Sequence, residues 1–110
     1  IRERGSGTRS AMERVFRERR FHPRETIEMS SNETIKQAVM AGMGVSFLSL
    51  HTVGLEVAAR RLVVLEVAGT PVMRHWYVIH RERKRLSPIV EAFKNFLIER
   101  GAKAIDQALR

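Results

Sequence analysis

The chain has 110 residues, 44% of them hydrophobic and 29% charged, enough for one packed domain or for part of a larger one. It has no cysteine, which excludes disulfides and thiolate metal sites, and no apolar run long enough for a membrane-spanning helix. Twenty basic residues against twelve acidic ones leave a net charge of +8, a balance that points toward nucleic acid or anionic ligands.

The charge is uneven. It gathers in residues 14–20 and 80–85, both interleaved with glutamate. A solvated helix face and a basic loop account for these clusters, with nucleic-acid contact and anionic-ligand steering as the alternatives. The charged opening, Ile1-Arg2-Glu3-Arg4, is unlike a secretory signal peptide. With no initiator Met and an opening that reads as a strand end, a piece of a longer cytoplasmic protein is expected.

Gly5-Ser6-Gly7 is a turn, and Thr8 to Arg20 reads as a helix with an apolar stripe of Ala11, Met12, Val15 and Phe16. His22-Pro23 ends it. Residues 26–29 suit a short strand, with Ile27 and Met29 on one face. Ser30 and Glu33 have capping-box spacing, and Asn32 competes as a cap for the next helix. Ile35, Ala38 and Val39 form its buried stripe, and Gly42 stops it. Residues 44–49 read as a strand and residues 51–59 as a weaker helix. Residues 62–67 form an apolar run suited to a strand covered on both faces. After a turn at Gly69-Thr70-Pro71, residues 74–80 read as a strand. Ser87-Pro88 opens the last helix, with Ile89, Phe93, Phe96 and Leu97 facing a core and Gly101 as its end. Residues 102–110 suit a further short helix or a loose tail. Alternating helices and strands predict an α/β fold, an open and mainly parallel sheet with helices on both faces.

No catalytic set emerges. His22, His51, His75 and His80 form no metal-ligand pair, and the odd spacing of His75 and His80 sends them to opposite faces of a strand. Ser46 lacks the second glycine of a nucleophile elbow. Ser10 and Phe47 stand where a dinucleotide-binding loop needs glycine. No metal or cofactor is implied, and an enzyme is not expected.

Two polar helix starts remain. Gly5-Ser6-Gly7-Thr8-Arg9 offers free amides, two hydroxyls and a guanidinium at one helix N-terminus, and Ser30-Ser31-Asn32 does the same at another. In an open α/β sheet such starts lie at the carboxyl ends of strands, where ligands bind. Plain capping is the competing reading for both.

The series Arg2-Glu3-x-Gly5-Ser6-Gly7-Thr8-Arg9, residues 31–39 (SNETIKQAV), residues 42–49 (GMGVSFLS), residues 61–65 (RLVVL) and Leu86-Ser87-Pro88 resembles the effector-binding domain of LysR-type transcriptional regulators. It looks most like the CbbR branch, which controls carbon-fixation operons. The resemblance implies two lobes built like type 2 periplasmic binding proteins, with a small, anionic effector in the cleft between them. Residues 1–75 would be the second lobe, residues 76–100 the crossover strand and C-terminal helix of the first, and residues 101–110 a tail. Ser30, Ser31 and Asn32 would face the effector, and Gly44 to Phe47 would lie near the cleft floor. Gly5, Ser6, Gly7, Thr8 and Arg9 resemble a phosphate grip of the same fold, which suits a phosphorylated metabolite or nucleotide. The family further implies a homodimer or homotetramer that binds promoter DNA through an N-terminal domain absent from this chain. The helix at 8–20 is then a candidate dimer contact or an ordinary solvent-facing helix. The alternative is a solute-binding lobe of a transport receptor of the same fold.

Overall fold

The computed structural model describes residues 1–108. The chain divides into two compact units, Ile1–Val72 and Met73–Arg110.

In the first unit α1 spans Gly7–Glu18 and α2 spans Asn32–Met40. A 3-10 turn at Leu50–Thr52 leads into the short α3, Gly54–Ala58. The single weak helix expected over residues 51–59 is therefore split. Val53 stands at the break and is buried. The other buried residues are Ala11 and Met12 on α1 and Ile35 on α2, where Ile35 is only 2% exposed. Burying one such side chain contributes about 1.5–3 kcal/mol.

The helices α1, α2 and α3 end in the same way. After α2, Gly42 donates to the carbonyl of Val39 and Met43 to that of Ala38, with Gly42 at a φ of +81°. This paired closure satisfies the last carbonyls and needs a left-handed residue, which glycine supplies without strain. After α1 and α3 the same position holds Arg20 and Arg60, at φ of 52° and 56°. Arg20 and Phe21 donate to Arg17 and Phe16, and Arg60 and Arg61 donate to Val57 and Glu56. Phe16 and Phe21 meet edge to face at 5.0 Å, the apolar contact that accompanies such an ending.

The expected sheet does not form among the described residues. Its trace is one parallel bridge, Arg2 to Met29, where Met29 N–H donates to the carbonyl of Ile1 at 2.9 Å. The terminal ammonium of Ile1 also donates to the carbonyl of Ile27, at 2.6 Å. Residues 44–49, 62–67 and 74–80 have no ladder. A strand gains stability from neighbours on its edges and cover on its faces. None of these runs has a paired edge, and the last two lack cover as well: Val63, Leu65, Trp76 and Ile79 are exposed, whereas residues 46–49 are half-buried.

In the second unit α4 spans Pro88–Ala108. Ser87 caps it as expected, its hydroxyl accepting from the amide of Val90 at 3.4 Å. Gly101 does not end it. A side chain there would meet only Leu97 at ordinary contact distance, and the residues beyond, Ala102-Lys103-Ala104, favour the helix. The helix thus replaces the separate helix or tail expected from residue 102. Leu109 and Arg110, the end of that expected tail, lie outside the described residues.

Candidate functional site

Both polar helix starts belong to the first unit, and the backbone brings them side by side. Residues 1–3 and 27–29 run parallel through the Arg2–Met29 bridge, and each segment then feeds a helix, α1 or α2. The two N-termini therefore open at the same end of the paired segments. This is the arrangement in which the carboxyl ends of parallel strands hold ligands.

At the first start Gly5 takes a φ of +88°, which lets Ser6 N–H turn back to the carbonyl of Glu3 at 3.2 Å. Ser6 is the cap, its hydroxyl accepting from the amide of Arg9 at 3.5 Å. At the second start the cap is Ser31, whose hydroxyl accepts from the amide of Thr34 at 3.4 Å. This corrects the sequence expectation, which placed the cap at Ser30 or Asn32. The reason is Arg2: its guanidinium donates to the side-chain carbonyl of Asn32, so that side chain is engaged across the two starts and not on its own helix. Ser30 is exposed.

Arg2 is the residue that sequence reasoning missed. It also holds Glu3 in a bidentate pair, at 2.7 and 2.9 Å. That pairing holds the Glu3 carboxyl down at about 2. The Arg2-Glu3 pair is visible in the sequence, but nothing there signals a partner thirty residues away.

Arg9 is less available than its sequence position suggests. Its guanidinium donates to Glu13 at 2.7 Å, to Glu28, and to the carbonyl of Arg2 at 3.1 Å. Glu13 first, then Glu28, raises its pKa. Lys36 on α2 bridges Glu33 at 2.8 Å and Glu56 at 2.7 Å, which raises its own pKa and lowers both carboxyls. The three cations near the helix starts thus face five carboxylates. The positive excess of the chain does not lie at this site. A ligand here meets neutral donors instead: helix-start amides and the hydroxyls of Ser30 and Ser31.

Phe47 is half-buried, and beside it the Ser46 hydroxyl is buried with no hydrogen-bond partner among the described residues. A shallow groove of about 300 Å³ lies elsewhere, lined by Gln37, Met40, Leu55, Glu56, Ala59 and Arg61. None of the effector-binding candidates named from the sequence borders it. Among the described residues no three histidine or acidic side chains gather to hold a metal ion, and no helix is long and apolar enough to cross a membrane.

Residues 1–102 match the protein-family profile described as the LysR substrate binding domain. The chain is 53% identical over 103 residues to the "HTH-type transcriptional regulator CfxR" of Cupriavidus necator, covering 94% of this chain and 32% of that protein. It is 56% identical over 97 residues to the "HTH-type transcriptional regulator CbbR" of Rhodospirillum rubrum, covering 88% of this chain and 33% of that one. It is 50% identical over 103 residues to the "RuBisCO operon transcriptional regulator" of Allochromatium vinosum, covering 94% and 34%. The chain spans about one third of the length of these curated relatives. No solved structure gives a significant match.

Proposed function

The chain belongs to the LysR substrate-binding domain family, in its CbbR branch, and from that premise we propose that it is the effector-sensing part of a cytoplasmic transcription regulator. The effector is a small metabolite bound at the paired helix starts, in the cleft of a type 2 periplasmic-binding-protein-like fold. The observation that carries this reading is the juxtaposition of the two starts through the Arg2–Met29 bridge and the Arg2–Asn32 hydrogen bond. It sets Gly5 to Arg9 beside Ser30 to Asn32 and gathers two sets of donors at one edge.

An oxyanion on the effector, as in a phosphorylated metabolite or nucleotide, suits amide and hydroxyl donors. It would accept from the α2 start and draw on Arg9 only by displacing Glu13 or Glu28. Promoter binding through an N-terminal domain and assembly as a homodimer or homotetramer belong to the same proposal, as does control of a carbon-fixation operon. The names of the relatives favour a regulator over the solute-binding lobe of a transport receptor, and over an enzyme.

The test is made in the regulator that carries this domain. Ser31 is left intact because it caps α2. Ser30→Ala with Asn32→Ala is expected to weaken the response to sugar phosphates or nucleotides at least about tenfold, the scale of one or two lost hydrogen bonds to a charged group. Promoter binding without effector stays unchanged. An intact metabolite response in that variant would remove the site from the helix starts.

A further inference from the structure

We infer that Arg2 is a positioning residue of the effector site: it turns the side-chain amide of Asn32 so that the NH2 group is offered to the effector, and so selects an acceptor-only group such as a fully ionised phosphate. The inference rests on the effector reading above and deepens it.

Arg2 is held along its whole length. Its backbone pairs with Met29 in the parallel bridge, and its carbonyl accepts from the Arg9 guanidinium at 3.1 Å. Its side chain is only 18% exposed. Two of its N–H groups hold both oxygens of Glu3, at 2.7 and 2.9 Å, and a third donates to the side-chain carbonyl of Asn32. Paired with Glu3, the guanidinium adds little net charge to the site. What it adds is direction.

A guanidinium has donors and no acceptor. Only the oxygen of the Asn32 amide can face it, because the amide nitrogen would set N–H against N–H. The nitrogen is therefore turned away from Arg2, and among the described residues it has no partner. Asn32 is the first residue of α2, and Ser31 already caps that helix. Neither end of the Asn32 amide is used by its own helix. Its two N–H bonds are left as further donors at the α2 start, beside the backbone amides. A group that accepts without donating is their complement.

Removing Arg2 frees the amide to rotate. The Asn32 oxygen then returns to its own helix start, where it competes with Ser31 as a cap. Only a fraction of the molecules then offers the NH2 group, and the apparent affinity falls by that fraction. Two simpler roles compete with this one. Arg2 could merely tie the two helix starts together, or it could touch the effector through N–H bonds that Glu3 and Asn32 do not use. In neither case does its effect pass through Asn32, so a double-mutant cycle separates the roles.

Arg2→Met, Asn32→Ala and the two combined are made in the whole regulator that carries this domain. The quantity read is the concentration of fructose bisphosphate, glucose phosphate or AMP that gives half of the full change in promoter-complex mobility. Asn32→Ala is expected to raise it about five- to tenfold, the scale of one lost hydrogen bond to a charged group. Arg2→Met is expected to raise it at least about threefold, and no further than Asn32→Ala does. In the Asn32→Ala background Arg2→Met adds less than about twofold. Asn32→Asp loses more than Asn32→Ala, because a carboxylate oxygen then faces the effector where the NH2 group stood. Circular dichroism checks the fold. If Arg2→Met loses helicity, Arg2→Lys takes its place in the cycle, since an ammonium lacks the fixed fork that holds Glu3 and Asn32 together. The same lack of added loss over Asn32→Ala is expected.

An unchanged response in Arg2→Met overturns the inference. So does a loss by the same factor in both backgrounds, which marks a structural tie or a direct contact. An Asn32→Asp variant that responds better than Asn32→Ala overturns the donor polarity. Each of these failures leaves the effector reading standing. A full response in Ser30→Ala with Asn32→Ala, or no response of the unaltered regulator to any of the three metabolites, removes the site or its oxyanion class, and this inference falls with it.

Discussion

The two units of this chain handle apolar side chains in opposite ways. In Ile1–Val72 the helical stripes find cover, and Ala11, Met12, Ile35 and Val53 are buried. In Met73–Arg110 no residue reaches that state among those described. Trp76, Tyr77, Ile79, Ile89 and Phe93 all stand open, with Ile79 at 88% exposure. The second unit has the more apolar pattern and the less apolar interior. A hydrophobic pattern specifies what a segment must bury, not where the covering surface comes from.

Mutations separate the two units, and the largest expected effect is in the first. Ile35→Ala should lower the unfolding free energy by about 2–4 kcal/mol, since it leaves a cavity at a nearly sealed position. Ile79→Ala should change it by less than about 0.5 kcal/mol. Chemical denaturation followed by circular dichroism measures both, and equal losses would erase the distinction between a covered and an open unit. Next comes the cap of α2. Ser31→Ala should cost about 1 kcal/mol and Ser30→Ala close to nothing, because only Ser31 holds the amide of Thr34. A larger loss at Ser30 would move the helix start.

Arg60→Gly should stabilise the first unit, by about 0.5–1 kcal/mol, because glycine takes the left-handed ending of α3 without strain. No such position exists at a non-glycine residue in the described part of the second unit. A destabilised Arg60→Gly variant would mean that the arginine side chain matters more than its backbone.

The smallest effect is a pH dependence. Glu3 titrates at about 2 when folded against an ordinary 4.5, so it contributes stability above pH 4.5 and loses it as pH falls toward 2. The lowered carboxyls of Glu33 and Glu56 act in the same sense. All three belong to the first unit; water reaches and screens Glu3 and Glu33, while Glu56 is largely covered. The melting temperature should therefore drift down over that window, and Arg2→Met should flatten part of the drift. An unchanged acid profile in that variant would detach Glu3 from Arg2.

The sequence made helix starts and stops legible where their signals are local. Ser6 before Arg9, Ser87 before Pro88, and Gly42 after Val39 act within one turn. The last helix was misjudged at Gly101, where a residue that often ends helices is surrounded by alanine and lysine. The strands were legible as apolar runs but not as a sheet, since pairing depends on segments far apart in sequence. The two helix starts were each visible. Their adjacency was not, because it rests on Arg2 reaching Asn32 and on one bridge across twenty-seven residues. The charge was both counted and located: its excess lies past the middle of α1 and, in the second unit, around residues 80–85, while the helix starts are lined by paired ions.

The unbroken passage of α4 through Gly101 has a mechanical meaning. Twenty-one residues make a rod about 31 Å long. A rod converts angle into distance. A tilt of about ten degrees at Ser87 carries the far end of α4 through about 5 Å at that length. A hinge at Gly101 would have absorbed such a tilt. The continuous helix delivers it to Ala108, where a small rearrangement at one end becomes a displacement large enough for a neighbouring surface to read.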